Sequence, residues 1–334
     1  MIKPILKSNF FILTGGPGSG KTSVLNKLAQ GQYKIIPEVA RAIIKHQQAI
    51  EGNAIHTGDR DAFLDLMLKY SIEDFQKIFN EKRAVFFDRG IPDLYGYAKV
   101  FCRKESQVVN EAVSRFRYNK TVFIFPPWEE IYRNDNERQQ DYAESLKTYQ
   151  AIKEAYSHCS YDLVTVPKVS VENRVDFILK TLTKAVLTDL KNDINQLLGF
   201  HEGTPRINYG PCGVFAKLFF DAWNSRFKDK VHIVFVMMKS REECWHIAIR
   251  LPTGELYDGG VGIHSEESYG EEYLIEDMFV YDEARLEKWS YGLDRKYPRF
   301  CPDFDKEAVD VLIQRHLDCI AVKNKEKDLN VKNK

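Results

Sequence analysis

Asn9-Phe10-Phe11-Ile12-Leu13-Thr14-Gly15-Gly16-Pro17-Gly18-Ser19-Gly20-Lys21-Thr22-Ser23 is a short apolar run that ends in Gly-x-x-x-x-Gly-Lys-Thr. The residues after it, Lys21–Gln30, carry Val24, Leu25, Leu28 and Ala29 at helical spacing. Strand, glycine loop and helix in that order are the context that makes this motif specific. Glycines let successive backbone N–H groups face inward around an anion, and the helix that follows adds its positive end. A lysine at position 21 reaches the outer phosphates, and the Thr22 hydroxyl is a hard ligand for magnesium. Gly15, Gly16, Pro17, Gly18, Ser19, Gly20, Lys21, Thr22 and Ser23 are therefore the expected nucleotide-binding residues, for ATP with Mg2+.

Outward from the loop, four further apolar runs alternate with helical stretches: Tyr33–Ile36, Ala84–Phe87, Thr121–Phe125 and Asp162–Val166. The periodicity of Ala62–Phe79 and Ser170–Leu198 is helical, with Gly199 as a stop. Five strands separated by helices predict an α/β P-loop NTPase fold, a five-stranded parallel sheet covered on both faces. Asp88 ends the third strand, where a carboxylate holds magnesium directly or through water, or else caps the next turn. Asn119-Lys120-Thr121-Val122 lacks the aspartate of a guanine-recognition box, so guanine specificity has no support.

With Pro37-Glu38-Val39-Ala40-Arg41, Asp88-Arg89-Gly90 and Asp135-Asn136-Glu137-Arg138 following the glycine loop in order, the first 180 or so residues resemble a family of small P-loop ATPases catalogued as an AAA domain, similar to ribosylnicotinamide kinase and more distantly to thymidylate and deoxynucleoside kinases. The resemblance implies a kinase-like fold and phosphoryl transfer to a small hydroxylated, nucleoside-like acceptor. It implies Glu38 as a base or acceptor-positioning group and Arg89 as a clamp. Arg133 and Arg138 fall where such kinases carry a lid; for Arg133, a surface pair with Glu129, Glu130 or Asp135 is an equal alternative. Arg41 reads as structural. No second lid domain with sensor motifs is apparent, so a hexameric motor is not expected.

The second half has a different pattern. An apolar helix, Val214–Phe227, precedes the runs Val231–Met238, Cys244–Leu251 and Glu255–Asp258, which predicts a smaller α+β domain with an antiparallel sheet. Cys212, in Tyr209-Gly210-Pro211-Cys212-Gly213, stands at the start of that helix, where unsatisfied N–H groups favour a thiolate. His246 and Asp258 follow. Leu251-Pro252-Thr253-Gly254-Glu255 suits a three-residue hairpin with positive φ at Gly254. That register pairs 251 with 255 and sets His246 and Asp258 diagonally on one face; a two-residue loop would separate them. Trp245, Ile247, Ile249 and Leu251 would take the other face. The order Cys, His, Asp resembles the papain-like core of transglutaminases and arylamine N-acetyltransferases, over about residues 205–265. The resemblance implies Cys212 as nucleophile on an acyl or amide carbonyl, His246 as base and Asp258 as its orienter. Asn208 is the only guess for an oxyanion donor, and His264, His232 and His201 carry no ligand spacing.

The remaining features set limits. The chain has 334 residues, enough for about two domains. Lys plus Arg and Asp plus Glu each count 48, so no global field favours nucleic acid or an anionic membrane, and neither is an expected partner. The six cysteines form no Cys-x-x-Cys pair, which predicts reduced thiols and a cytoplasmic location; no secretory signal or membrane-length apolar run appears. The expected organisation is a kinase-like domain at 1–187, a helical connector at 188–199, a papain/transglutaminase-like domain at 200–322 and a disordered tail at 323–334. Three functions stay open: a small-molecule kinase, a cysteine acyl hydrolase or acyltransferase regulated by ATP, and an ATPase with a non-catalytic binding domain.

Overall fold

The computed structural model describes residues 3–102, 106–131, 142–240, 243–291 and 304–321. Arg133, Asp135, Arg138, Cys301 and the tail at 323–334 lie outside the described residues. The described chain divides into two compact units, one up to Leu182 and one of Thr183–Ala321.

The N-terminal unit is built on five parallel strands, β1 (Phe10–Gly15), β2 (Lys34–Ile36), β3 (Val85–Asp88), β4 (Thr121–Phe125) and β5 (Asp162–Thr165), in the order β2-β3-β1-β4-β5. The order places β1 at the centre, and Phe10 to Leu13 are completely buried. Two covered faces explain why the run is uniformly apolar and does not alternate. Phe75 of α3 (Arg60–Lys77) sits in a cage of rings, 5.1 Å edge-on to both Phe10 and Tyr118. That helix starts two residues earlier than its apolar pattern, because Asp59 accepts a hydrogen bond from the Ala62 N–H at 3.0 Å and caps it. The other helices of the unit are α1 (Lys21–Gln30), α2 (Val39–Ala49), α4 (Ile91–Tyr97), α5 (Gln107–Arg115) and α6 (Tyr142–His158). Helix α7 (Val171–Leu198) begins in this unit and stops before Gly199, which has φ +74°.

The C-terminal unit carries an antiparallel sheet of β6 (His232–Met238), β7 (Glu243–Arg250), β8 (Leu256–Asp258), β9 (Gly262–His264) and β10 (Tyr273–Met278), ordered β9-β8-β7-β6-β10. Helix α8 (Cys212–Arg226) packs on it through Phe215 and Phe219, whose rings lie 6.1 and 5.1 Å from that of Tyr257. Helices α9 (Glu283–Tyr291) and α10 (Lys306–Ile320) complete the unit. The two outermost strands and these last helices had no signal in the sequence strong enough to place them.

The hairpin between β7 and β8 has the three-residue register: Ile249 opposes Tyr257 and Arg250 opposes Leu256. Leu251 N–H donates to Glu255 O, Gly254 N–H donates to Leu251 O, and Gly254 has φ +90°. One expectation needs correction. Val236 pairs with His246 but Met237 pairs with Cys244, so Trp245 is the extra residue of a β-bulge. It is 55% exposed, whereas Ile247, Ile249 and Leu251 are buried.

Among the described residues no helix is long and apolar enough to cross a membrane.

Candidate functional site

The glycine loop closes on itself before it meets any ligand: Ser19 Oγ donates to Gly16 O at 2.9 Å, and Ser145 of α6 donates to Pro17 O at 3.2 Å. Gly20 caps α1 with φ +80°, and a Cβ there would meet the Arg174 guanidinium at 2.6 Å. The positive φ is what favours glycine, since the guanidinium is the far end of a flexible side chain and can shift. Lys21 is buried and forms an ion pair with Asp88 at the end of β3, so the two charges expected to serve phosphate and magnesium neutralise each other. Thr22 and Ser23 are exposed at the start of α1. A hydroxyl at Thr22 and a carboxylate at Asp88 are donors of the kind a hard divalent cation takes, with phosphate and water completing its shell. Among the described residues no cluster of three or more His, Cys, Asp or Glu side chains could hold a metal by itself.

On the far side of the Lys21–Asp88 pair lies a cavity of about 50 Å³ lined by Glu38, Asp74, Phe87, Asp88, Arg89 and Asp93, among others. Glu38 is the N-cap residue of α2, and its Oε1 accepts from Arg89 Nε at 2.7 Å. Burial would raise the Glu38 pKa, but the charges of Arg89, Lys21 and Arg41 outweigh it and hold the carboxyl down at about 2. Arg41, 3.5 Å from Glu38, therefore belongs to the charge balance of the site. Arg89 adopts φ +73°, a left-handed backbone rare for a non-glycine residue and typical of strained functional positions. Its Nη1 donates to Asp93 at 3.1 Å.

Two groups here escaped the sequence. Asp93 is a buried carboxylate that accepts from Thr14, Arg89, Tyr156 and the Gly90 N–H. Its signal was present: it is four residues after Arg89 and the third residue of α4, a position that favours acidic caps. Arg174, the fourth residue of α7, reaches over the loop, with Nη1 3.4 Å from Ser19 O and its guanidinium 5.4 Å from the Trp128 ring. Nothing in the sequence linked residue 174 to residue 20.

The second cluster belongs to the C-terminal unit. Cys212 is the first residue of α8 and is buried. His246 Nε2 lies 3.1 Å from Asp258 Oδ2, and the Cys212 side chain, whose sulfur is 4.0 Å from Gly210 O, is close enough to the imidazole to favour its charged form. Burial works against a charged imidazole, yet the Cys212 sulfur and the Asp258 carboxylate more than offset it and raise His246 to about 10. Asp258 lies well below the usual carboxylate range: burial opposes ionisation, but His246, the Val261 N–H and Asn208 stabilise the anion. Asn208 Nδ2 donates to Asp258 Oδ1 at 2.8 Å. One of the two N–H donors of the Asn208 amide is thus engaged in orienting the aspartate. His264 is likewise not a bystander: its Nδ1 is 3.9 Å from Asp258 Oδ2 and its Nε2 is 2.9 Å from Tyr269 Oη. His201 and His232 take no part in the cluster, and His201 instead packs on Tyr209 with centroids 4.5 Å apart. The free cysteines among the described residues are Cys102, Cys159, Cys212, Cys244 and Cys319.

A parallel sheet with a glycine loop between its central strand and first helix defines the N-terminal unit as a P-loop nucleotide-binding fold. Residues 10–174 match the family model for the AAA domain, and the N-terminal unit is a P-loop domain of that family. Among solved structures, the fold is similar to a NadR protein in complex with NR (15% identity, 52% of this chain and 51% of that one, TM-score 0.43). It is also similar to deoxyadenosine kinase from M. mycoides (14% identity, 52% and 97%, TM-score 0.38) and thymidylate kinase from Ehrlichia chaffeensis (16% identity, 52% and 98%, TM-score 0.35). The chain thus spans about half the length of the NadR protein. A search of curated proteins gives no match.

Proposed function

We propose that the N-terminal unit transfers the terminal phosphoryl group of ATP to a hydroxyl of a small, nucleoside-like acceptor. The observation that carries this is the Glu38 carboxylate and its Arg89 partner lining a cavity that also includes Asp88, the partner of Lys21. Phosphoryl transfer asks for positioned positive charge and for an aligned acceptor, and little covalent chemistry from the protein. Lys21 would leave Asp88 for the phosphates, which frees Asp88, with Thr22, for magnesium; the ion would neutralise charge on the phosphate oxygens. Arg89 would clamp the acceptor. Glu38 would accept a hydrogen bond from its hydroxyl; at a pKa of about 2 it is too weak a base to remove that proton early. The half-buried Trp128 ring, with the buried Arg174 guanidinium packed over it, offers an aromatic edge near the loop suited to a nucleobase. The test is a panel of nucleosides with γ-labelled ATP and magnesium. Label should appear on an acceptor hydroxyl, and ADP formation should depend on that acceptor. ADP released at the same rate without any acceptor would make the unit a simple ATPase.

A second function is favoured by the His246–Asp258 contact of 3.1 Å, with Cys212 near enough to favour the charged form of the same imidazole. We infer that the C-terminal unit is a cysteine acyl hydrolase or acyltransferase. The Cys212 sulfur attacks an acyl carbonyl and forms a thioester, the His246 imidazolium protonates the departing amine or alcohol, and water or an acceptor amine then releases the acyl group. Iodoacetamide at pH 6 is the probe. Cys212 should be alkylated at least tenfold faster than glutathione, and an ordinary thiol rate would remove the catalytic proposal and leave a binding module.

A further inference from the structure

A carboxylate as buried as that of Asp93 is costly unless donors fill its oxygens. It has four of them. The Gly90 N–H donates to Oδ2 at 2.9 Å, which caps α4 and accounts for one bond. The other three are side chains: the Thr14 hydroxyl and Arg89 Nη1 donate to Oδ1, and the Tyr156 hydroxyl donates to Oδ2. A cap alone does not call for a buried carboxylate, since a serine hydroxyl would serve the same N–H.

The two partners of Oδ1 belong to different arms of the site. Thr14 is fully buried in β1 and immediately precedes Gly15, the first glycine of the phosphate loop. Arg89 follows Asp88 at the end of β3, with φ +73°. Its N–H donates to Leu13 O at 3.0 Å, and the next N–H in the chain, that of Gly90, is held by Asp93. The guanidinium is gripped on two edges, Nε by Glu38 and Nη1 by Asp93, and Nη2 holds no hydrogen bond among the described residues. We propose that Asp93 is a positioning residue that keeps Arg89, the acceptor clamp, in register with the phosphate loop. This rests on the phosphoryl transfer proposed above.

Transfer between two bound partners depends on alignment, and a misplacement of about 1 Å costs on the order of 10²-fold. An acceptor hydroxyl that engages Glu38 takes a share of one grip on Arg89. Asp93 keeps the other, so the guanidinium presents Nη2 from a fixed plane. Through Thr14 the same oxygen is tied to the strand that carries the loop, and donor and acceptor are referred to one atom, Asp93 Oδ1. Tyr156, from α6, fills the remaining oxygen, and its hydroxyl bonds neither the loop nor Arg89. It supports the carboxylate without belonging to either arm. Asp93 moves no proton in this role.

Near-isosteric changes in the full chain separate positioning from support. The readouts are label passed from γ-labelled ATP to a nucleoside, Mg2+·ATP affinity by calorimetry, and Tm. Thr14→Val removes the tie to the loop strand, and kcat should fall about tenfold with ATP affinity unchanged. Thr14→Ser keeps the hydroxyl and should restore the rate. Asp93→Asn should lower kcat roughly 10²-fold and raise the acceptor KM about tenfold, again with ATP affinity within about twofold. Tyr156→Phe should lower Tm and leave kcat and KM within about twofold. If Tyr156→Phe costs as much kcat as Thr14→Val, or if every loss follows Tm, Asp93 is a structural support. If Asp93→Asn leaves kcat and KM intact, it has no part in the reaction; if ATP affinity falls with kcat, it shapes the loop and not the register. Each of these results overturns the proposal. A wild-type chain that labels no nucleoside fails the phosphotransferase reading itself, and this proposal falls with it.

Discussion

The two sites hold charge in opposite ways. In the N-terminal unit the groups suited to phosphate and metal are spent on one another, Lys21 on Asp88 and Arg89 on Glu38 and Asp93. A ligand there has to exchange partners before it binds. In the C-terminal unit His246 contacts Asp258 and Asn208 donates to the same carboxylate, with Cys212 close enough to the imidazole to favour its charged form. One site is arranged to rearrange; the other is preorganised. On the proposed functions the difference has a physical reason: a phosphate loop without its anion would leave buried cations unpaired, whereas a nucleophile would gain rate from being aligned in advance.

The strongest test of that contrast is Cys212→Ala. Acyl turnover should fall on the order of 10⁴-fold, while calorimetry should find Mg2+·ATP affinity unchanged. Asp88→Asn tests the rearrangement directly. Releasing Lys21 from its partner should tighten metal-free ATP binding by about tenfold, a gain of roughly 1.4 kcal/mol, and should remove the benefit of magnesium. Unchanged metal-free affinity would mean that the ion pair does not compete with phosphate.

Glu38→Gln asks whether that residue positions or abstracts. A positioning group should raise the acceptor KM by about tenfold and lower kcat less, whereas loss of a general base would cost 10²–10⁴ in kcat, an order of magnitude taken from general acid–base catalysis. The pH profile examines the preorganised site. The His246 pKa is raised from 6.5 to about 10, so the imidazolium that protonates the leaving group persists below that pH. Acyl turnover should decline about tenfold per unit above pH 10, and a decline starting near pH 6.5 would contradict the ion pair. The smallest effect belongs to the hairpin. Gly254→Ala places a side chain at φ +90°, which should lower stability by about 1 kcal/mol in thermal melts and leave Cys212 alkylation unchanged.

Much of this was legible in the sequence, for local reasons. The β1–loop–α1 segment is contiguous, and its glycines, lysine and threonine act through backbone geometry that eight neighbouring residues determine. The His246–Asp258 contact was legible through one turn, because Gly254 selected the register and the register selected the face. The bulge at Trp245 had no such signal, and it changes which side chains share a face beyond His246. The strands β9 and β10 are three and six residues long, and the longer is only partly buried, so neither shows a clear apolar period.

The amino-acid order alone established the phosphate loop, the parallel sheet and the pairing of β7 with β8, since each depends on residues close in the chain. Only the tertiary structure brought Asp93 beneath Arg89 and Thr14, Arg174 over Gly20, Asn208 onto Asp258, and Tyr269 onto His264. Those contacts join residues distant in sequence or turned toward each other by loops. Side-chain direction and burial, which periodicity does not encode, decide whether such charges meet.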